Sequence, residues 1–222
     1  MDEMQSHPEP EESLIKPDHF GSSTDHIWFQ EDFVDPGDLQ TMQDFFPSIN
    51  KWNNRMDTEE NEDGICIYDE TYWLDRVCTS DIISELSPVV YGIVEKYIDK
   101  LACALEEKFF VDLNRRSPVI VRWLPGLEQQ PHADKQLNDG TPNPFTTYDL
   151  NSVIYWNDDF EGGELYYPEH EIELTIKTGM AAAHIGDINY LHGVRCIESG
   201  VRWTSPSFYT ITGFREGHPW PC

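Results

Sequence analysis

From Ser117 onward the chain is a succession of short strands and turns, and this narrows the possible folds more than any other feature. SPVIVRWLPG, LNSVIYWNDD, GGELYYPE, EIELTIKTG, MAAAHIGD, INYLHGVRCIESG and VRWTSPSFYTIT follow one another with Gly, Asp and Asn between them. β-Branched and aromatic runs punctuated at short intervals by turn formers are what an antiparallel sandwich or barrel requires.

The preceding stretch has a different period. Between Thr79 and Phe110 the residues Ile82, Ile83, Leu86, Val90, Ile93, Val94, Tyr97, Ile98, Leu101 and Leu105 recur at three and four, a helical pattern that Pro88 must kink or divide. Helices before a run of strands predict an α+β domain, with helical support over about 79–113 and a β core over about 117–212. Upstream, HIWFQEDFV (26–34) reads as a strand and DPGDLQTMQDFFPSI as a helix with Asp35 as N-cap and Pro36 in its first turn. NNRMDTEENEDG reads as an acidic loop and ICIYDETYWL as a strand. Residues 1–24 are acidic and poor in large apolar side chains, so a flexible tail is expected before a single domain spanning 25–222.

Charge and cysteine use limit the partners. With 41 acidic and 15 basic side chains the net charge is −26. That opposes wrapping a polyanion, because affinity for nucleic acid comes largely from Lys and Arg neutralising phosphates. The five cysteines are scattered and form no CxxC pair, which fits reduced thiols and a cytoplasmic protein. The N-terminus has neither a basic nor an apolar signal region, and no stretch approaches a membrane span, so no membrane partner is expected.

The chemistry-bearing residues lie in the strand-rich half. In QQPHADKQ, His132 and Asp134 stand at i and i+2, and on a strand they would share a face. Among the other histidines there, His170 sits in the turn-like PEHE, and His184 in MAAAH reads as a half-buried histidine bonded to backbone. His192 opens HGVRCIESGVRW, read as a hairpin turning at Ile197 to Gly200. Such a hairpin sets Arg202 opposite Arg195, roughly 10 Å from His192 at about 3.3 Å per residue. Two histidines and a carboxylate on one face of an octahedron leave three positions open, as in non-haem Fe(II) oxygen chemistry. A planar guanidinium at that range suits the far end of a short dicarboxylate. The plain alternative is a set of surface polar residues at strand ends.

Four ordered blocks sharpen this reading: HAD at 132–134, IYWNDDFEGGELYYP at 154–168, KTGMAAAHIGD at 177–187 and LHGVRCIESGVRW at 191–203. Together they resemble the prolyl 4-hydroxylase-like branch of the Fe(II)/2-oxoglutarate dioxygenases, over about residues 117–212. The resemblance implies a double-stranded β-helix, the jelly-roll of cupin-like proteins, with the N-terminal helices packed on one sheet. It implies His132, Asp134 and His192 as iron ligands, Arg202 as partner of the 2-oxoglutarate C5 carboxylate, and Tyr155 as a hydroxyl on that carboxylate. The tyrosine often found near the position of Trp123 or Leu124 is absent here. It also implies O2 as oxidant, ascorbate as auxiliary reductant, and release of succinate and CO2. The intact Asp134 carboxylate favours hydroxylation over halogenation, which needs that position vacant for halide.

The substrate expected from this likeness is a prolyl residue of a protein or peptide. A free amino acid or other small molecule is the alternative, and a non-catalytic cupin-like metal-binding module the reading from another class. Nucleic-acid dealkylation is opposed by the charge. The loop KQLNDGTPNPFTTY, 135–148, is either a lid or an excursion, with Lys135, Asn138 and Phe145 as contacts if it closes over substrate. Trp123, Tyr148, Tyr155, Trp156, Tyr166, Tyr167 and Trp203 either shape a pocket or pack the core. Gly162 and Gly163 predict a tight bend before a strand.

Overall fold

The structure, a computed structural model, describes residues 13–53 and 73–217. Its strands are β1 (Trp28–Gln30), β2 (Val77–Thr79), β3 (Val111–Arg115), β4 (Val119–Trp123), β5 (Gln129–His132), β6 (Leu150–Tyr155), β7 (Glu161–Gly162), β8 (Leu165–Tyr167), β9 (Ile172–Leu174), β10 (Ala181–Ile185), β11 (His192–Val194), β12 (Ile197–Ser199) and β13 (Arg202–Phe214). The α-helices are α1 (Pro36–Phe45), α2 (Ser80–Leu86) and α3 (Pro88–Phe109). All of the acidic loop NNRMDTEENEDG but Asn53, and most of the strand expected at ICIYDETYWL, lie outside the described residues, as do residues 1–12 and 218–222.

Pro88 divides the helical block as its chemistry requires. α2 ends at Leu86, and Ser87 caps α3 by accepting the Val90 N–H at 3.3 Å, with Pro88 in the first turn where no donor is lost. Val90, Ile93, Val94, Tyr97, Ile98, Leu101, Leu105 and Phe109 form the buried stripe of α3. That stripe covers β3 and β13, so helices and sheet share one hydrophobic core. Asp35 precedes α1 in extended geometry, yet its side chain does not cap the helix. Its carboxylate is drawn away by Lys96 at 3.0 Å and the Tyr97 hydroxyl at 2.9 Å.

The strands pair antiparallel. A seven-stranded sheet runs β1-β10-β6-β13-β4-β2 with β3 also on β13; β5-β11-β8-β9 form a second sheet, and β12 pairs β7. This mixed helical and antiparallel arrangement agrees with the α+β expectation. No helix among the described residues is long and apolar enough to cross a membrane.

Two expectations need correction. Composition predicts a flexible tail that includes residues 13–24, but Ile15 and Phe20 are buried in the core. Ser13 Oγ donates to Asp149 at 2.6 Å, the Asp18 amide to Asp187 at 2.9 Å, and the Ser23 amide to the Tyr190 hydroxyl at 2.9 Å. Two apolar anchors and partners from the far end of the chain hold what composition reads as tail. The second correction concerns the simple hairpin after His192. Gly200 does take a left-handed backbone, with φ 77°, but β12 turns aside to pair β7 and Arg202 pairs with Trp123 of β4. Arg195 is not its partner. Gly162 (φ 75°) makes the expected bend: a Cβ there would stand 2.0 Å from the Cys196 carbonyl oxygen.

Candidate metal centre

β5 and β11 are neighbours, and His132 and His192 are direct register partners in that pair. Their ring centroids are 4.4 Å apart. β5 ends at His132, so Asp134 reaches the histidines from a bend rather than from the strand face that the i, i+2 spacing suggests. The Asp134 and Lys135 amides both donate to the Gly186 carbonyl at 3.0 Å, which fixes that bend against the end of β10. Ligand atoms of His132, Asp134 and His192 then lie within 4.8 Å of one another.

The protonation pattern suits a cation. His132 Nδ1 faces the Gln130 carbonyl at 3.0 Å and His192 Nδ1 the Tyr190 carbonyl at 3.1 Å. Each Nδ1 is the donor there, so in the neutral ring the lone pair is on Nε2, the form in which histidine binds metals. The Gln129 amide nitrogen accordingly faces His132 Nε2 at 3.1 Å. Burial, with the neighbouring His184 ring, pushes the His192 imidazole well below its ordinary range, so it is neutral. Burial also opposes ionisation of Asp134, but the His192, His184 and His132 rings overcome it and hold the carboxyl well below the usual carboxylate range. The donor set is therefore one carboxylate and two imidazoles, and it fits a divalent ion of the first transition series.

The cluster lines a cavity of about 580 Å³ together with Trp123, Tyr155 and Arg202. Arg202 is 2% exposed, with its guanidinium 5.0 Å from the Tyr155 ring centroid and 5.3 Å from that of Trp123. Burial raises the Tyr155 phenol above its ordinary range against the pull of the Arg202 charge, so it is a neutral donor. The cavity wall is mostly carbon, with Phe145, Tyr148 and Phe208 among it. Tyr148 stacks on Phe145 at 5.0 Å and on Phe208 at 4.3 Å. Arg195 is exposed, paired with Glu173 at 2.8 Å and set over the Tyr166 ring.

The loop at 135–148 forms part of the cavity wall through Asn138 and Phe145. Lys135 does not line the cavity: it is buried in an ion pair with Asp149 at 2.5 Å. Trp156 belongs to the core, donating Nε1–H to Ser205 at 2.9 Å, and Trp203 stacks on Phe46 at 4.4 Å.

Sequence reasoning passed over two residues. His184 is bonded not to backbone but to the Tyr167 hydroxyl at 2.9 Å, and its Nε2 lies 3.5 Å from Asp134 Oδ2. Asn151, its register partner on β6, donates its amide to the same oxygen. The one signal was the run Ala181–Ala183 beside His184, side chains small enough to leave an imidazole room in a packed interior.

No family model and no curated protein matches the chain by sequence. Solved structures do share its fold. The viral collagen prolyl hydroxylase of Paramecium Bursaria Chlorella virus-1, in a 2-oxoglutarate complex, superposes with TM-score 0.57 at 13% identity, over 83% of this chain and 95% of that one. A truncated form of the same enzyme gives TM-score 0.58 at 14% identity, over 92% and 98%. A prolyl hydroxylase from Trichoplax adhaerens, bound to a peptide fragment of the hypoxia inducible factor oxygen degradation domain, gives TM-score 0.57 at 14% identity, over 84% of each chain. The likeness first read from four sequence blocks is thus a likeness of fold to prolyl hydroxylase structures.

Proposed function

We propose that this chain is an Fe(II)- and 2-oxoglutarate-dependent dioxygenase that hydroxylates a C–H bond, on the pattern of the prolyl 4-hydroxylases, with a protein or peptide as substrate. The observation that carries the proposal is the convergence of His132, Asp134 and His192 on one point of a cavity that also holds the buried Arg202. The two sheets are read as the halves of a double-stranded β-helix. The peptide complex of the Trichoplax neighbour supports a peptide substrate, and the collagen prolyl hydroxylase supports proline as the residue to try first.

His132 and His192 would hold the ion through their bare Nε2 atoms and Asp134 through a carboxylate oxygen. Once bound, Fe(II) supplies the activation of O2 that couples decarboxylation of 2-oxoglutarate to oxidation of a substrate C–H bond. Arg202, charged at any physiological pH, would take the far carboxylate of the co-substrate in a bidentate grip. Tyr155, neutral beside it, would donate a hydroxyl to the same group. The aromatic wall of Phe145, Tyr148 and Phe208 would keep water from the reacting centre and give a flat apolar surface for a pyrrolidine ring.

The test is formation of succinate from 2-oxoglutarate by the purified chain with Fe(II) and O2, with and without ascorbate. A proline-rich peptide is followed by mass spectrometry for the gain of one oxygen. Turnover that requires Fe(II) and is lost in Asp134→Ala is expected. Metal-replete protein that consumes no 2-oxoglutarate, with or without peptide, would overturn the enzymatic reading.

A further inference from the structure

A third imidazole lies against the metal cluster. His184 is 4% exposed, and its ring centroid is 4.0 Å from that of His192. Its Nε2 is 3.5 Å from Asp134 Oδ2, at the outer limit of a hydrogen bond, and has no nearer partner among the described residues. It stands on β10 in the seven-stranded sheet, whereas His132 and His192 belong to the four-stranded one.

The tautomer of His184 follows from the needs of its neighbour. The Tyr167 hydroxyl is buried, and its hydrogen-bond partner is His184 Nδ1 at 2.9 Å. A phenol proton not donated there would be buried without an acceptor, a costly arrangement. Tyr167 therefore donates, Nδ1 accepts, and the imidazole proton sits on Nε2, facing Asp134. This is the reverse of His132 and His192, whose Nδ1 atoms donate to carbonyl oxygens. Two rings offer lone pairs to the site and the third offers a proton.

Asn151 completes the pattern. It is the register partner of His184 across β10 and β6, and its amide donates to the same Asp134 Oδ2. Asp134 Oδ2 is thus bonded to the Asn151 amide and faced by His184 Nε2 at 3.5 Å, with His192 Nε2 3.4 Å away on its other side.

We propose that His184 is a positioning residue for the metal-binding carboxylate: with Asn151 it holds the Oδ2 side of Asp134 in place, and Tyr167 sets the tautomer on which this depends. The inference rests on the metal reading proposed above. It adds a distinction among three histidines that composition and spacing treat alike.

The test reads metal binding by the full chain, without co-substrate and without turnover. Mn(II) is titrated and the free ion followed by electron paramagnetic resonance; the electronic spectrum of the Co(II) form reports the ligand field. His184→Phe removes the donor while keeping a ring of similar size, and Mn(II) affinity is expected to fall about 10- to 100-fold, as on loss of an outer-shell partner. His184→Gln, which can place an amide N–H where Nε2 stood, should recover most of that loss. Tyr167→Phe should give a smaller loss in the same direction, and it carries the test if His184→Phe does not fold.

Equal Mn(II) affinity in wild type, His184→Phe and Tyr167→Phe would overturn the inference and leave the metal reading standing. Wild-type protein that binds no Mn(II) would overturn both. A Co(II) spectrum that loses a nitrogen ligand in His184→Phe, with no recovery in His184→Gln, would also overturn it, because the ring would then be a ligand and not a donor.

Discussion

His132 and His192 are register partners across β5 and β11, their ring centroids 4.4 Å apart. A pair set by strand register is rigid, so neither ring can replace the other's Nε2 when one is removed. His132→Ala and His192→Ala should each weaken Mn(II) binding by more than the roughly 10- to 100-fold that loss of an outer partner costs. Calorimetric titration of the metal-free chain checks this, and near-wild-type affinity in either variant would sink the ligand assignment.

Arg202 lies in the same cavity but makes no part of the metal cluster. Removing one partner of a buried charge pair costs about 2–5 kcal/mol. Arg202→Ala should therefore raise the 2-oxoglutarate requirement about 30-fold or more and leave Mn(II) affinity unchanged. Arg202→Lys keeps the charge without the fork and should fall between. Steady-state titration of 2-oxoglutarate beside metal titration separates the two effects.

Lys135 and Asp149 form an ion pair 3% and 0% exposed at their side chains. Asp149 also accepts from Ser13 Oγ and from the Ile211 amide, so the carboxylate cannot leave when its cation does. Lys135→Met should cost about 3–5 kcal/mol of stability, read from denaturant unfolding. A loss under about 1 kcal/mol, the range of exposed pairs, would contradict this account.

The pH dependence of the metal-free protein follows from two groups of opposite charge type. His192 is held below its ordinary value of 6.5 by burial first, so below about pH 6.5 the unfolded chain takes up a proton that the folded chain refuses. Stability attached to His192 is present above that pH and lost as pH falls; His26, also lowered by burial, acts in the same direction. Asp134 is lowered too, so its contribution is present above about pH 3.9 and lost only below it. Thermal unfolding midpoints should fall between about pH 7 and pH 5, and fall less in His192→Phe. A midpoint that rises over that range would refute the assignment.

What could be read in advance was what depends on local chemistry. Pro88 had to break the helical run, and alternation with turn formers had to give antiparallel strands. His132, Asp134 and His192 were picked out by residue type and order, and the fold brings them together. What escaped depends on partners remote in sequence. The turn at Gly200 was legible, but not that β12 leaves to pair β7. Ile15 and Phe20 looked too few to order residues 13–24, because the acceptors of that segment, Asp149, Asp187 and Tyr190, lie more than a hundred residues on. His184 reads from its sequence as half-buried rather than buried, and nothing local shows that Asp134 stands opposite it.

β13 is 13 residues long and pairs in turn with β4 at Arg202, with β6 at Tyr155 and with β3 at Phe214. Arg202, the proposed anchor for a co-substrate, is therefore tied to the most extensively bonded strand among the described residues, whereas part of the cavity wall is contributed by the loop after Asp134. Changes in that loop can alter what enters without disturbing what the interior holds. A scaffold divided in this way is open to acquiring new ligands by loop exchange while the proposed metal chemistry is inherited intact.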